Sequence, residues 1–558
     1  MKGLPLFITF SALFIFSIGI TDTSVDRTDE SYYFSSAMHM VRSNNWIIPV
    51  FENREKRFQK PILFYWLVAI SFKLFGISVT SARVASLVFA VLGVGLIFFF
   101  SRMLFGSKAG LYSSLLLISS SLYLLNAHAA RTDMVFTFFI MLAFFFFSRG
   151  FFVEPRPRLC FVLSSMALGM ATLTKGPLAV VIFIPSALSL IFSEKNKTSM
   201  LKEMFSLPVV SIFLVVVLPW PLLVYFRYGN EFIRYLLQKE VAQRMAGAGP
   251  EIFSNLIYYT GVIIRYFFPW SIFFILSLLS IRERGIPGKE RLVLTWIAIT
   301  FFTFSLVISP HRSRYLLPLS PALALLTGRW LADHEEGLFK KPFLRTVLYL
   351  GAGLLCLLAF LLFLPSYLSL TLHKTGALVL FGMALFLFAG GLGLFFSMRK
   401  EKPRFIVPIL TFTTVIAVVL PLRVFLPTVK PEPMKSLALK CPKPLGEKER
   451  LIAIELDPHS RVLLTLFLER FLDGIYDLRN ISVCYSTMER MENEGKKVFV
   501  VLPETVYVNF PPALKRTYPV IGKSFAYSFK KKLVHLLCLS GYQSPAEMFL
   551  HPLSSILP

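Results

Sequence analysis

The chain has 558 residues, of which 55% are hydrophobic and only 16% are charged, and its formal net charge is +26. An average soluble domain has about a quarter of its residues charged, so this composition excludes a protein that lies mostly in water. Cytoplasmic loops of membrane proteins collect Lys and Arg, so the positive charge requires no nucleic-acid partner.

Hydrophobic runs long enough to cross a bilayer recur along the chain. Uncharged runs such as Leu4 to Ile20 and Val84 to Phe100 approach the roughly 20 residues that a transmembrane helix needs. Hydropathy predicts about thirteen spans, at 4–20, 82–100, 109–127, 134–150, 159–174, 177–193, 207–226, 261–281, 291–309, 313–331, 345–364, 376–397 and 405–425. We therefore expect an all-α polytopic membrane protein.

The first predicted span follows Lys2, as the apolar core of a signal peptide would. It is long, lacks a clear small-x-small cleavage site and precedes many further apolar runs, so we interpret it as a retained helix. The stretch 61–76 is also apolar, but it is short and rich in aromatic residues. Those features are typical of an interfacial or half-inserted helix rather than a full span.

Basic residues are concentrated in every second connection between the predicted spans. Those connections carry Arg102, Lys108, Arg149, Arg156, Arg158, Lys195, Lys197, Lys202, Arg282, Arg284, Lys289, Arg291, Lys340, Lys341, Arg345, Arg399, Lys400, Lys402 and Arg404. The short loops opposite carry little more than Arg131, Lys175, Arg312, Arg314 and Lys374. Because cytoplasmic loops are the basic ones, we predict a cytoplasmic N-terminus. The segments 21–81 and 227–260 and the tail then lie on the outer face.

The tail changes character at Pro427, where a proline-containing linker begins. Beyond it, segments 450–455 and 497–502 have the β-branched composition of strands, and 460–472 has a helical pattern. We predict a transmembrane domain over 1–427 and an extracytoplasmic α/β domain over 428–558.

The five cysteines form no CxxC pair and no zinc spacing. Cys160 and Cys356 lie inside apolar runs, where buried small residues are expected. Cys441, Cys484 and Cys538 lie in the tail. If the tail lies outside the cytoplasm, one disulfide can form among these three cysteines, and the sequence does not identify the pair.

Ionisable residues interrupt the apolar sequence at the edges that this map places outside. The first outer loop, VDRTDESYY, contains Asp26, Asp29 and Glu30. Later outer edges contain Lys60, Arg131, Asp133, Lys175, His311, Arg312, Arg314 and Tyr315. A single loop carboxylate is most simply hydrated, but ionisable groups at membrane depth cost several kcal/mol unless they are paired. The mixture of acids and bases predicts a functional site at the outer face.

A pocket with carboxylates and fixed cations suits the transfer of a group from a phosphate to a hydroxyl. Asp or Glu would take the proton of the acceptor hydroxyl. Lys, Arg and Tyr would offset the charge of the leaving phosphate. Glycoside hydrolysis also uses paired carboxylates, but it needs no cationic cradle. No Walker loop, GxGxxG, HExxH or GxSxG element stands where its mechanism would work.

Two other classes of protein are alternatives. A transporter or flippase would line a path with intramembrane charges and would show internal repeats with broken helices near the midplane. No repeat is visible here, and the polar residues cluster at one face. A non-catalytic scaffold that recruits partners through its tail would not require acids and cations on separate loops to converge.

Six motifs in consistent order over about residues 20–330 resemble the sequence signatures of one family of membrane enzymes. DESYYF followed by NNWIIP resembles the signature DEARYAE and sGdW.tP, and QKPILFYW with LFG resembles KPPLlYWl.a..lFG. ARTDM is similar to the second acidic motif and LTKGPLAVVIFIP to the KGP segment. KEVAQRM is similar to the EHIQRF segment and SRYLLPLSPALAL to the tYiLP..P.lal segment. By these motifs the chain resembles the bacterial lipid A aminoarabinose transferases, which together with the protein O-mannosyltransferases belong to the GT-C class of membrane glycosyltransferases.

The resemblance implies an inverting transferase of the bacterial inner membrane, with its site and tail in the periplasm. It would move aminoarabinose or a similar sugar from a polyprenyl phosphate to an extracytoplasmic acceptor such as lipid A, and a protein acceptor is the alternative. The acidic site residues by position are Asp29 as the base, its neighbour Glu30, and Asp133. The residues similar to those that hold the lipid phosphate are Lys60, Arg244 and Tyr315. No cofactor is implied, and a divalent metal beside the acids is left open.

Three positions depart from the family pattern. The Arg of DEARY is Tyr32 here, KPPL has become KPIL, and the His of EHIQRF is Val241. The change at Tyr32 removes a cation near the site, which leaves room for a different sugar or acceptor. Asp26 is an alternative base if the alignment of the loop shifts by three residues.

Overall fold

Helices dominate the chain up to residue 425, and strands alternate with helices after residue 448. The structure is a computed structural model, and it describes residues 3–21, 25, 29–51, 55–154, 157–193, 197–235, 252–307, 312–340, 342–367, 374–425, 433–438, 449–468, 472–477, 480–508, 510, 515–516, 518–523, 527–529, 532–534 and 536–540.

The helices up to residue 235 are α1 (Leu4–Ser17), α2 (Glu30–Ser43), α3 (Leu63–Phe75), α4 (Val79–Phe105), α5 (Ser107–Ser119), α6 (Ser121–Asn126), α7 (Thr132–Phe152), α8 (Arg158–Lys175), α9 (Leu178–Ile191), α10 (Lys197–Met204), α11 (Leu207–Val217), α12 (Pro219–Tyr228) and α13 (Asn230–Tyr235). A short antiparallel pair of strands, β1 (Val50–Phe51) and β2 (Glu55–Lys56), stands between α2 and α3.

The helices from residue 252 onward are α14 (Ile252–Tyr266), α15 (Trp270–Arg284), α16 (Gly288–Val307), α17 (Ser320–His334), α18 (Pro342–Tyr367), α19 (Lys374–Arg399), α20 (Ile406–Val419) and α21 (Pro433–Ala438). Short 3-10 helices lie at Ser313–Leu319, Glu335–Lys340 and Pro403–Phe405, and a π-helix lies at Leu420–Phe425.

The length and composition of these helices make the chain a multi-pass membrane protein, as the sequence predicted. Six described helices are long and apolar enough to cross a bilayer: Val79–Phe105, Thr132–Phe152, Lys197–Val217, Pro342–Phe363, Ala377–Arg399 and Pro403–Phe425. A seventh is obtained if Ile252–Tyr266 and Trp270–Glu283, which are bent by 113°, form one span. The predicted number of about thirteen spans is therefore not confirmed.

Several predicted spans are divided because hydropathy reports apolar content and not backbone continuity. The predicted span 109–127 breaks at Ser120, whose backbone is extended at φ −62° and ψ 114°. The predicted span 207–226 breaks where Pro219 begins α12, since proline has no N–H to continue the helical ladder. The predicted span 313–331 starts as a 3-10 helix that contains Pro318. The short apolar helix expected at 61–76 is α3, and it ends at Gly76 with φ +80°.

Two large apolar cores organise the chain. One joins the membrane helices and buries Trp270, Trp296 and Trp330 completely. The other joins α2 and α3 to the C-terminal part, since Phe34 and Phe64 belong to the same packed cluster as strand and helix residues beyond 450. The C-terminal part is therefore packed on the segment that follows the first helix.

The C-terminal part is built around a five-stranded sheet. Its strands are β3 (Glu449–Ile454), β4 (Gly474–Tyr476), β5 (Lys497–Pro503), β6 (Val520–Lys523) and β9 (Leu536–Ser540), and their order in the sheet is β4-β3-β5-β9-β6. β7 (Tyr527–Phe529) pairs with β8 (Lys532–Val534) in a separate hairpin. The helices are α22 (Pro458–Leu468), α23 (Ile481–Asn493) and α24 (Glu504–Tyr507). β3 runs parallel to β4 and β5, with Ile452 opposite Val500, whereas β9 runs antiparallel to β5 and β6.

The described cysteines form no disulfide. Cys160, Cys484 and Cys538 are buried, Cys356 is half-buried, and none of these four is joined to another of them. The structure therefore excludes a disulfide between Cys484 and Cys538, which was one of the pairings that the sequence left open. Cys441 lies outside the described residues.

Candidate active site

Residues predicted on separate outer edges come together at one end of the membrane helices, which we call the site end. Asp29 occupies the N-cap position of α2, Asp133 lies in the first turn of α7, and Lys175 lies in the last turn of α8. Arg312 and Arg314 arrive with the 3-10 helix at Ser313–Leu319. Their ion pairs join these four segments of the chain.

Asp29 is held by two arginines. Its Oδ2 lies 3.0 Å from an Arg312 guanidinium nitrogen and also contacts Arg314. Although Asp29 stands at an N-cap position, its side chain caps no backbone N–H of α2. About a quarter of the side chain stays exposed, at 27%. Of the three candidate acids that the structure describes, Asp29 is the accessible one.

Glu30 is buried in a bidentate ion pair. Its two oxygens each lie 3.0 Å from a nitrogen of Arg83, both side chains are only 2% exposed, and the Ala130 N–H donates at 2.8 Å. Burial alone would raise the pKa of Glu30, but the charge and hydrogen bonds of Arg83, the charge of Arg131 and the Ala130 N–H together outweigh burial and hold the pKa below its usual range. Both oxygens of Glu30 are thus engaged in structural contacts.

Arg314 links the carboxylates of Asp29 and Asp133. It contacts Asp29, and its Nε lies 3.9 Å from Asp133 Oδ2. The other oxygen of Asp133 accepts a hydrogen bond of 2.6 Å from Lys175 Nζ, and both of these side chains are almost fully buried. The charges of Asp133 and Lys175 are therefore largely matched inside the protein.

Aromatic rings form a wall beside this network. Tyr315 stacks on Phe304, with ring centroids 5.8 Å apart and an interplanar angle of 12°. Lys175 Nζ lies 5.5 Å from the Tyr315 ring centroid and 5.3 Å from that of Phe136. The predicted phosphate-binding residue Tyr315 is thus next to the buried lysine and the acids.

A second group of residues lies on the adjoining side of α2. The Arg57 guanidinium carbon is 3.4 Å from the ring centroid of Tyr32, the position at which the resembled motif has arginine. The His459 ring meets Tyr32 edge-on at 4.9 Å, and His459 Nδ1 lies 2.6 Å from Ser31 Oγ. Lys60 is half-buried in the same loop as Arg57, just before α3. The C-terminal part therefore touches the residues that directly follow Asp29 and Glu30.

The remaining predicted site residues are placed as follows. Arg131 is the N-cap residue of α7, where its charge acts on both Glu30 and Asp133. Asp26, Arg244 and His311 lie outside the described residues. Within the described part of the chain, no group of three or more His, Cys, Asp and Glu side chains is arranged to hold a metal ion.

Three residues of this region were missed by the sequence analysis: Arg83, Arg57 and His459. Arg83 carried a usable signal, because it is a lone arginine at the start of a predicted span, in SARVASLVF. Arg57 stands among other charged residues in NREKRFQK, so its burial had no local signal. His459 lies more than 400 residues from its partner Ser31, and only the tertiary structure joins them.

Comparisons with known proteins connect this arrangement to one group of enzymes. The model of the dolichyl-phosphate-mannose-protein mannosyltransferase family matches residues 59–222. An uncharacterized protein of Aquifex aeolicus is 28% identical over 404 residues, which cover 69% of this chain and 77% of that protein. The undecaprenyl phosphate-alpha-4-amino-4-deoxy-L-arabinose arabinosyl transferase 1 of Pseudomonas fluorescens Pf-5 is 29% identical over 365 residues, and the match covers 65% of each chain. The chain thus spans slightly less than two thirds of that transferase.

A solved structure with the same architecture is that of ArnT from Cupriavidus metallidurans bound to undecaprenyl phosphate. It superimposes with a TM-score of 0.71 at 19% sequence identity, over 96% of this chain and 98% of that one. This likeness shows the fold, which is the GT-C fold that the resemblance implied. These matches confirm the resemblance and the enzyme class that the sequence predicted, a membrane glycosyltransferase, and the chain is similar in sequence to the undecaprenyl phosphate-alpha-4-amino-4-deoxy-L-arabinose arabinosyl transferases.

Proposed function

We propose that the chain transfers a sugar from a polyprenyl phosphate to an oxygen atom of an acceptor molecule outside the cytoplasm. The observation that carries this proposal is the convergence of Asp29, Asp133, Lys175 and Arg314 from separate segments into one network. A partly exposed carboxylate set among fixed cations fits a reaction that removes a proton from the acceptor and releases a phosphate.

In the proposed reaction, the acceptor oxygen attacks C1 of the sugar while the bond from C1 to the phosphate oxygen breaks. Asp29 takes the acceptor proton, because it is the accessible carboxylate of the described site. The polyprenyl phosphate leaves with its negative charge, which Lys60, Arg244 and Tyr315 offset. A single displacement inverts the configuration at C1.

Buried ion pairs give the other acids a different role in this proposal. Arg83 holds Glu30, and Lys175 holds Asp133, so both carboxylates position the start of α2 and the start of α7. Arg314 links Asp29 to Asp133 and so sets the distance between the two segments. Preorganised charges of this kind stabilise a transition state without reorganising during the reaction.

The same convergence supports the proposed orientation and domain division. Every residue of the network comes from an edge that the loop charges place outside, whereas the basic loops lie at the other end of the helices. We assign residues 1–427 to the membrane catalytic domain and 428–558 to a periplasmic α/β domain. The N-terminus is then cytoplasmic, in the inner membrane of a bacterium.

The acceptor and sugar follow the relatives in this proposal. The arabinosyl transferase relatives point to aminoarabinose as the sugar and, through the family resemblance, to lipid A as the acceptor. The match to the mannosyltransferase model over residues 59–222 favours a protein acceptor as the second candidate. The two candidates share the donor chemistry and differ in the molecule that gains mass.

The test compares cells that lack the chain with cells that carry the wild type, Asp29→Asn or Asp333→Asn. We expect the wild type to add a sugar mass to lipid A, detected by mass spectrometry of lipid A and envelope proteins, and Asp29→Asn to abolish that mass. Asp333 is the matched control, because it is an exposed acid that pairs with Arg329 four residues earlier. Full transfer by Asp29→Asn would refute Asp29 as the base. A new mass on protein alone would select the second candidate.

A further inference from the structure

Arg57 is a buried cation that no described carboxylate neutralises. The residue is only 9% exposed, and none of the ion pairs among the described side chains includes it. One of its terminal nitrogens donates to Gln59 Oε1, its charge acts on the nearby Tyr65 hydroxyl, and its Nε–H has no partner in the described part of the chain. A buried charge without a counter-charge is strongly unfavourable. A bound anion would supply the missing negative charge.

The cations of the ion-pair network described above set the contrast. Arg83 is matched by Glu30, and Lys175 is matched by Asp133. Arg314 is shared between Asp29 and Asp133. Each of these cations has a carboxylate partner inside the protein, and Arg57 lacks one among the residues that the structure describes.

Aromatic rings surround the guanidinium of Arg57. Its central carbon lies 3.4 Å from the Tyr32 ring centroid, and the Tyr32 ring is itself in contact with Phe51 at 4.7 Å and with His459 at 4.9 Å. A stacked guanidinium keeps its N–H edge free to face an oxyanion with two parallel hydrogen bonds. The loop thus presents an oriented cation and not merely a positive charge.

The place of this cation connects it to the proposed reaction. Tyr32 follows Glu30 by two residues, and Arg57 precedes the proposed phosphate-binding residue Lys60 by three. The resembled motif has arginine at the position of Tyr32, whereas here the arginine comes from the neighbouring loop and lies against that position. The cation that the motif has on the segment of α2 is therefore supplied here by Arg57 of the loop before α3.

We infer that Arg57 binds the phosphate group of the polyprenyl-linked donor, with Tyr32 as the platform that orients it. The inference rests on the proposed function for the identity of the lipid, while the anion site itself rests on the burial and charge of Arg57. Arg57 then acts beside Lys60, and the two cations of one loop share the phosphate. The donor, and not the acceptor, is the molecule whose binding depends on Arg57.

The test measures binding of undecaprenyl phosphate to the purified full chain by native mass spectrometry, with undecaprenol and inorganic phosphate as the comparison ligands. We expect Arg57→Met to weaken undecaprenyl phosphate binding by at least about tenfold and to leave the weak binding of undecaprenol unchanged. The control Arg149→Met removes an exposed arginine that pairs with Glu154, and it should bind like the wild type. Unchanged phosphate-lipid binding in folded Arg57→Met would overturn the inference.

An exchange variant separates charge from structure. Tyr32→Arg combined with Arg57→Tyr returns a guanidinium to the same stacked pair, so we expect it to restore binding to within about threefold of the wild type. A folded exchange variant that binds as weakly as Arg57→Met would show that Arg57 acts only through packing and would overturn the anion site. Equal competition by inorganic phosphate would assign the site to free phosphate and overturn the donor role.

Transfer assays in membranes keep this inference distinct from the proposed function. If the wild type transfers sugar, Arg57→Met should raise the KM for the lipid-linked donor more than it lowers kcat. If the wild type transfers no sugar but binds undecaprenyl phosphate through Arg57, the proposed function fails and the anion site stands. Transfer by Arg57→Met with an unchanged donor KM would overturn the inference while the proposed function stands.

Discussion

The two ends of the membrane helices carry the same kinds of ion pair in different surroundings. At the site end, Arg83 and Glu30 are each 2% exposed and come from positions 53 residues apart in the chain. At the opposite end of α8, Arg158 pairs with Glu203, and their side chains are 60% and 30% exposed. Both pairs have two well-placed nitrogen–oxygen contacts, so geometry alone does not distinguish them.

Connectivity also differs between the ends. Arg314 at the site end is shared by two acids, which ties three segments together. At the opposite end, Arg149 pairs with Glu154 on the next turn of the chain. One buried pair does occur there, between Glu290 and Arg329, and Arg329 extends it to Asp333. Arg329 joins two helices, whereas Arg314 joins three segments of the chain where we place the reaction.

The largest expected effect comes from breaking the buried pair at the site end. Glu30→Gln leaves Arg83 as a buried charge with one partner fewer, and such a loss costs about 3–5 kcal/mol of stability. We expect a clear fall in the thermal unfolding midpoint of the purified chain in detergent. A combined Glu30→Gln and Arg83→Met variant should recover part of that loss, because it removes the stranded charge.

The same pair gives a pH dependence with a defined sign. The pKa of Glu30 is lowered in the folded protein, so its contribution to stability is fully present above the unfolded value near 4.5 and is lost as the pH falls through the folded pKa. The midpoint difference between wild type and Glu30→Gln should therefore be constant near neutral pH and should shrink below about pH 4.5. A difference that grows on acidification would contradict this assignment.

A smaller effect is expected where the C-terminal part touches the site. His459→Ala removes the contact to Ser31 Oγ and the edge-on contact to Tyr32. One hydrogen bond and one aromatic contact together contribute roughly 1–3 kcal/mol. We expect faster limited proteolysis of the tail and a several-fold loss of sugar transfer, since α2 carries Asp29 at its start.

The control for that contact is His334→Ala, because His334 stacks on Trp330 near the end of α17 that lies away from the site. It removes a similar ring and should leave both the cleavage rate of the tail and the transfer rate unchanged. Equal tail cleavage in wild type and His459→Ala would show that the apolar core shared with α2 and α3 holds the tail without this contact.

The sequence predicted those parts of the molecule that have a local cause. Strands at 450–455 and 497–502 appear within a residue or so as β3 and β5, because β-branched runs favour extended backbone locally. Asp133 and Lys175 were singled out because charges in an apolar setting need partners, and the structure pairs them. The roles of the site residues in catalysis and donor binding stay predictions.

The features that the sequence did not predict depend on packing between distant segments of the chain. A break at Ser120 and the 3-10 start at Ser313 follow from how helices fit together, which apolar content does not report. Arg57 was indistinguishable from its charged neighbours until the fold placed it on Tyr32. Burial depends on the tertiary structure, so the sequence alone does not show which loop cation carries the free-energy cost of leaving water.

The smallest expected effect comes from the exposed ion pair at the end of the helices opposite the site. Glu203→Gln removes the partner of Arg158 in a pair whose members are both substantially exposed. Water and salt screen such pairs, so they contribute little to the free energy of unfolding. We expect the unfolding midpoint and sugar transfer of Glu203→Gln to equal those of the wild type at physiological ionic strength. A fall in the unfolding midpoint as large as that of Glu30→Gln would show that the exposed pair contributes as much to stability as the buried pair. The proposed difference between the two ends of the helices would then be wrong.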